Sequence, residues 1–254
     1  MRRILILGGT TEARLLAGRL AGRPDFAITV SLAGRTAEIV DQKAPTRVGG
    51  FGGVPGLEAY LDSERIDALV DATHPYAEII SAHALEAARA TGTPLLALRR
   101  PAWSQVPGDN WTEVATMDEA AEALGPSPRR VFLAIGRKEI GSFARAPQHF
   151  YLVRSVDPID PSPDFPNAAY VVERGPFTEA GDLALIKAHA IELLVCRNSG
   201  GSAGYAKLAA ARALALPVVM VRRPVLPAAD TVETIDAALA WLDHVTARPR
   251  ARGV

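Results

Sequence analysis

Short apolar runs alternate with stretches whose apolar positions recur at helical spacing along nearly the whole chain. In the first half, residues 4–7, 28–32, 68–70 and 94–98 read as strands, and residues 11–20, 57–63 and 77–90 as helices. In the second half, residues 131–135, 150–153, 170–172, 193–196 and 218–221 read as strands, and 178–190, 205–214 and 234–242 as helices. Strands that are apolar throughout, rather than at every second position, are buried on both faces. Strands separated by helices pair in parallel. The pattern predicts an α/β protein built on parallel sheets.

The same pattern repeats within the chain. Pro94-Leu-Leu-Ala-Leu-Arg-Arg-Pro101 matches Pro217-Val-Val-Met-Val-Arg-Arg-Pro224, and residues 114–124 match residues 232–242. Strand-to-glycine junctions at Ile6–Gly9 and Ala134–Gly136 stand in corresponding places upstream. Several matches in one order indicate two similar units. We place a Rossmann-like unit at 1–125, a second at 130–245, a join near Gly125-Pro-Ser-Pro128, and a flexible tail at 246–254. Two such parallel sheets are expected to face a shared cleft, with ligands at the carboxyl ends of the strands.

Charge and cysteine content narrow the function classes. Among 254 residues, 28 basic and 28 acidic side chains cancel, which argues against a nucleic-acid coat or a polybasic membrane binder. Cys196 is the only cysteine, so neither an intrachain disulfide nor a cysteine-built metal cage can form. Five scattered histidines lack metal-ligand spacing, and no metal is expected. No apolar run approaches the ~20 residues of a membrane span, and the few apolar residues before Gly8 are too short for a signal-peptide core. A soluble cytoplasmic protein is expected, monomeric or at most dimeric, with neither nucleic acid nor membrane as partner.

Candidate chemistry gathers at the predicted strand ends. Gly8-Gly9-Thr10-Thr11-Glu12-Ala13-Arg14 follows the first strand and opens the first helix, where glycine admits a phosphate and the helix N-terminus offers N–H groups. Thr10 stands where the dinucleotide fingerprint has its second glycine, so a tight turn without ligand is the alternative. The second strand ends in Ser31-Leu-Ala-Gly-Arg35-Thr36 without the acidic residue that takes the ribose hydroxyls of NAD. Arg35 and Thr36 there suit a 2′-phosphate and favour NADPH. Asp71-Ala-Thr73-His74-Pro75-Tyr76 ends the next core strand, and Pro75 holds His74 extended beside the expected cofactor edge. A capping role is the other reading of His74.

In the second unit, Gly136-Arg137-Lys138, Arg154, Arg174 and Arg197-Asn-Ser199-Gly200-Gly201 end four strands. Cations in four equivalent places point to a pocket for an anion with several carboxylates or phosphates. Residues 200–204 match the G-x-S-x-G hydrolase elbow, but Ser202 comes six residues after Cys196, and a glycine-rich ligand loop fits better. No Tyr-x-x-x-Lys pair of the short-chain dehydrogenase type occurs.

Taken together, the opening Ile6-Leu-Gly-Gly-Thr-Thr-Glu-Ala-Arg14, the Asp71–Ala77 segment, Arg99-Arg-Pro-Ala-Trp103, Gly136-Arg-Lys138 and Cys196-Arg-Asn-Ser-Gly-Gly201 resemble the precorrin-6A reductases of cobalamin biosynthesis. The resemblance covers nearly the whole chain. It implies an NADPH-dependent oxidoreductase acting on a CH–CH group, which reduces one carbon–carbon double bond of precorrin-6A to give precorrin-6B. A related enzyme acts on the cobalt-bearing macrocycle. The chemistry expected is hydride transfer to a ring carbon conjugated to an imine-like nitrogen, with protonation of its neighbour. His74, Tyr76, Lys207 and water are the candidate proton donors. A non-catalytic two-lobed protein binding an anionic tetrapyrrole or nucleotide is the competing reading, and a small two-lobed glycosyltransferase ranks behind it.

Overall fold

The computed structural model describes residues 1–34, 40–159 and 165–247. Its first elements are β1 (Arg2–Leu7), α1 (Thr11–Ala21), β2 (Phe26–Leu32), β3 (Thr46–Val48), α2 (Val54–Ser63), β4 (Ala68–Asp71), α3 (Glu78–Thr91) and β5 (Leu95–Leu98). Next along the chain are β6 (Asn110–Val114), α4 (Met117–Glu122), β7 (Arg130–Ala134), a 3-10 turn (Ile140–Arg145), β8 (Phe150–Ser155), β9 (Ala168–Val172), α5 (Glu179–Ala188), β10 (Leu193–Arg197), α6 (Ala206–Ala213) and β11 (Pro217–Val221). The last two are β12 (Asp230–Val232) and α7 (Ile235–Ala247).

Two six-stranded sheets result, ordered β12-β5-β4-β1-β2-β3 and β6-β11-β10-β7-β8-β9, and every pairing is parallel. Each is the doubly wound Rossmann order, in which the chain reverses direction across the sheet at one central pair of strands. That pair is β1–β4 in one sheet and β7–β10 in the other.

Alternate residues of each central strand serve opposite faces. Ile4 and Ile6 join α1 and α7 side chains such as Leu16, Leu20 and Leu242. Leu5 and Leu7 pack with Leu57, Leu61, Ala84 and Ala87 of α2 and α3. In the second unit Phe132, Leu152, Leu194, Cys196 and Met220 pack with Ile186 and Leu208. Burial pushes the Cys196 thiol up to about 11, which leaves it a protonated core residue.

The division of the chain differs from the expected 1–125 and 130–245. One unit comprises Met1–Pro101 with the segment from Pro224, and the other Ala102–Arg223. The units have exchanged their last strand and helix: β6 follows β5 in sequence yet pairs with β11, while β12 follows β11 and pairs with β5. Trp103 explains where the first crossing is committed. Its backbone N–H donates to Asn198 Oδ1 (2.7 Å), its indole N–H to the Gly201 carbonyl (2.8 Å), and Asn198 Nδ2 donates back to the Trp103 carbonyl (2.9 Å). The join near Gly125 therefore lies inside one unit. The expected tail at 246–254 begins within α7, and residues 248–254 lie outside the described residues. Among the described residues no helix is long and apolar enough to cross a membrane.

Candidate functional site

In the first unit the β1–α1 junction is held open by small residues. A Cβ on Gly8 would come within 2.9 Å of Val30 Cγ1, and Gly9 adopts φ +106°, a conformation that favours glycine. Thr10 then joins the two loops of the central strand pair. Its hydroxyl donates to the Ala72 carbonyl beyond β4 (2.7 Å) and accepts the Ala13 N–H as the cap of α1 (3.1 Å). Thr11 is exposed, and Glu12 is paired with Arg100 at 2.7 Å.

A cavity of about 370 Å³ lies against this junction, lined by Gly8, Ser31, Phe51, Thr73, Tyr76 and Ile80 among others. Its far wall is the loop Gly49-Gly50-Phe51-Gly52-Gly53 after β3. Arg47 fastens that loop: it donates to the Gly49 and Gly50 carbonyls (both 3.1 Å) and to Ser31 Oγ (2.8 Å), and lies 3.9 Å from the Phe51 ring centroid. This loop was not among the expected site residues. Its glycines are conspicuous in the sequence, but the three-residue β3 before it has no apolar run to mark a strand end.

At the end of β4, the buried Asp71 carboxylate pairs with Arg99 and accepts the Thr73 hydroxyl at 2.6 Å. Arg99 also reaches the Asp71 carbonyl (2.8 Å) and Ser81 Oγ (3.0 Å). Burial alone would raise the Asp71 pKa. The Arg99 charge and the hydrogen bonds from Arg99, Thr73 and Ser81 outweigh it and hold the carboxyl below the usual range. Thr73 thus serves Asp71 as well as lining the cavity. His74 is half-buried and Pro75 buried; the Tyr76 N–H donates to His74 Nδ1 (3.4 Å), and the two rings lie 5.6 Å apart. Arg35 and Thr36 lie outside the described residues.

The second unit treats its expected anion ligands differently. Arg154 is 8% exposed, paired with Asp182 and, at 3.6 Å, with Glu173, and its guanidinium lies over the Phe177 ring. Arg197 is paired with Glu139 at 2.7 Å. These two arginines are held by the protein's own carboxylates, because each strand-end cation that is partly buried needs a local counter-charge. Arg174, with Asp157 at 4.0 Å, is exposed, as are Arg137 and Lys138. Ser199, Gly200 and Gly201 form a loop stapled by Trp103 and by Arg223, which donates to the Asn198 and Ser199 carbonyls (2.8 and 3.1 Å). Gly200 and Gly201 both take left-handed φ (+68° and +73°). Lys207 is buried within the same unit, its ammonium 4.7 Å from the Trp103 ring centroid and donating to the Gly204 carbonyl at 2.5 Å. The structure thus groups His74 and Tyr76 in one unit and places Lys207 in the other.

Known proteins agree with this architecture over almost its full length. A family model described as "Precorrin-6x reductase CbiJ/CobK" matches residues 3–243. A precorrin-6A reductase of a Sinorhizobium species is 51% identical over 242 residues, covering 95% of this chain and 93% of that one. The precorrin-6A reductase of Rhodobacter capsulatus is 46% identical over 250 residues, covering 98% and 99%. The solved structure of CobK precorrin-6A reductase matches with a TM-score of 0.94 at 46% identity, over 99% of this chain and 100% of that one. With its two exchanged Rossmann sheets, the chain belongs to the precorrin-6x reductase family.

Proposed function

We propose that this protein reduces one carbon–carbon double bond of precorrin-6A with NADPH, giving precorrin-6B in cobalamin biosynthesis. The observation that carries the cofactor half of this reading is the cavity of about 370 Å³ against an open strand–glycine–helix junction at the central strand pair. The residues fit a nicotinamide dinucleotide: Gly8 and Gly9 admit its pyrophosphate, Thr10 and the first turn of α1 with Thr11 and Glu12 supply N–H groups, and Thr73, His74 and Pro75 border the loop after β4. When bound, such a cofactor supplies the hydride.

The end of β2 carries no acidic residue, and Arg35 and Thr36 follow it in sequence as the 2′-phosphate ligands. Arg47, hydrogen-bonded to Ser31 beside the cavity, adds positive charge at the same strand end. The precorrin carboxylates fall to the strand ends of the second unit, where Arg137, Lys138 and Arg174 are exposed and Arg197 and the 199–201 loop border them. Tyr76 lines the cavity and packs near His74, which makes this pair the first proton-donor candidates to test. Lys207 is already bonded to Gly204 and ranks behind them.

The deciding experiment is anaerobic NADPH absorbance with purified protein and precorrin-6A, with NADH in parallel. Oxidation that requires the tetrapyrrole and prefers NADPH is the expected outcome, and Arg35→Ala should weaken NADPH far more than NADH. Tight tetrapyrrole binding without cofactor consumption would point to the cobalt-bearing macrocycle as substrate or to a carrier.

A further inference from the structure

The glycine junction after β7 already holds an anion, and it is a side chain of the protein. The Gly136 N–H donates to Glu139 Oε2 at 2.9 Å, and Arg197 donates to Glu139 Oε1 at 2.7 Å. The fit is close, since a Cβ on Gly136 would lie 2.7 Å from Glu139 Oε2 and 3.3 Å from the Arg197 guanidinium. Gly136 and Arg197 flank the central strand pair β7–β10, where ligands of such sheets bind. The pair is not sealed: the side chains of Arg197 and Glu139 keep 20% and 29% of their surface exposed. Arg137 and Lys138 on the same loop are exposed and add positive charge around it.

A glycine N–H on one carboxylate oxygen and a guanidinium N–H on the other form a carboxylate subsite. We propose that Glu139 is its internal occupant, an intramolecular competitor that a substrate carboxylate displaces from Gly136 and Arg197 on binding. Glu139 is then a specificity-determining residue. It keeps Arg197 compensated in the free protein and admits only ligands whose carboxylate geometry repays the exchange. The inference rests on reading the second unit as the carboxylate-binding one.

Two measurements test it. First, the melting temperatures of wild type, Glu139→Gln and Glu139→Gln/Arg197→Gln are followed in rising sodium acetate, with chloride as the balancing anion. A ligand that binds only the folded state raises the melting temperature. Acetate should stabilise Glu139→Gln and leave wild type and the double variant flat; Glu139→Asp, which keeps the charge, should stay flat as well. Second, the KM for precorrin-6A should fall by about threefold in Glu139→Gln, the scale of one partly exposed ion pair released from competition. A purely structural Glu139 would raise that KM. A flat acetate response in Glu139→Gln, or a raised KM, overturns the proposal. If wild type fails to turn over precorrin-6A, the proposed function fails, and the acetate series alone decides whether the subsite exists.

Discussion

Asp71 ends β4 and Arg197 ends β10, each beside the glycine junction of its own sheet, and they carry opposite charges. In the first unit Asp71 is neutralised from the neighbouring strand end by Arg99, which leaves the glycine junction open toward a cavity. In the second, Arg197 is neutralised from within the junction by Glu139, whose carboxylate fills it. The segments after the two glycines differ to match. Thr10 caps an eleven-residue α-helix, whereas Glu139 precedes a six-residue 3-10 turn and makes no capping bond to it. One fold thus yields one glycine junction that opens on a cavity and one filled by a side-chain carboxylate, because the outcome is decided by where the counter-charge comes from and not by the sheet order.

The largest test of this contrast is Arg99→Ala. It strips a buried carboxylate of its partner and should lower the unfolding free energy by about 3–5 kcal/mol. In wild type the Asp71 contribution is present above the ordinary carboxylate pKa and is lost as pH falls through its lowered folded value. In the variant only the Thr73 and Ser81 hydrogen bonds still oppose burial, so that pKa should rise and the deficit should shrink as the solution is acidified. Urea titrations of both proteins at neutral and acid pH measure it; a pH-independent deficit would mean that Asp71 is not the group responsible.

Gly56→Ala comes next, since a Cβ there would lie 1.7 Å from the Phe51 carbonyl oxygen at the base of the 49–53 loop. We expect a loss of about 3 kcal/mol together with weaker dinucleotide binding, read by denaturation and by cofactor fluorescence. Thr10→Ala should lower stability by about 1 kcal/mol as a lost N-cap and also uncouple the loop from Ala72. The expected sign is a raised KM for NADPH; an unchanged value would remove Thr10 from the cofactor site. Smallest is Glu139→Gln, where a partly exposed pair is broken and the change in stability should stay within about 1 kcal/mol. A loss as large as that of Arg99→Ala would erase the distinction drawn between the two junctions.

The strands of both sheets that lie between other strands are legible in the chain because burial on two faces demands unbroken apolar runs, as in β1, β4, β7 and β10. Three of the four edge strands escaped that reading. β3, β6 and β12 are largely exposed, and β3 and β12 are only three residues long, so no apolar pattern marks them. The same blindness hid the 49–53 loop, whose glycines come directly after β3. The strand-end cations were found by type and spacing, but no local pattern states that Arg154 faces Asp182 and Arg197 faces Glu139.

The sequence by itself determined the α/β class, the internal repeat, the family resemblance and the glycine junction after β1, because each rests on residues near one another in the chain. Only the tertiary structure decided which sheet receives β6 and which β12. The repeated segments before them are nearly alike, and either strand has the length and polarity of an edge. The choice is made by contacts across some hundred residues, 95 between Trp103 and Asn198, that lock the chain into the second unit before β6 begins. It likewise decided that Glu139 closes one junction while the other stays open, since that depends on where a carboxylate lands in space and not on its spacing in sequence.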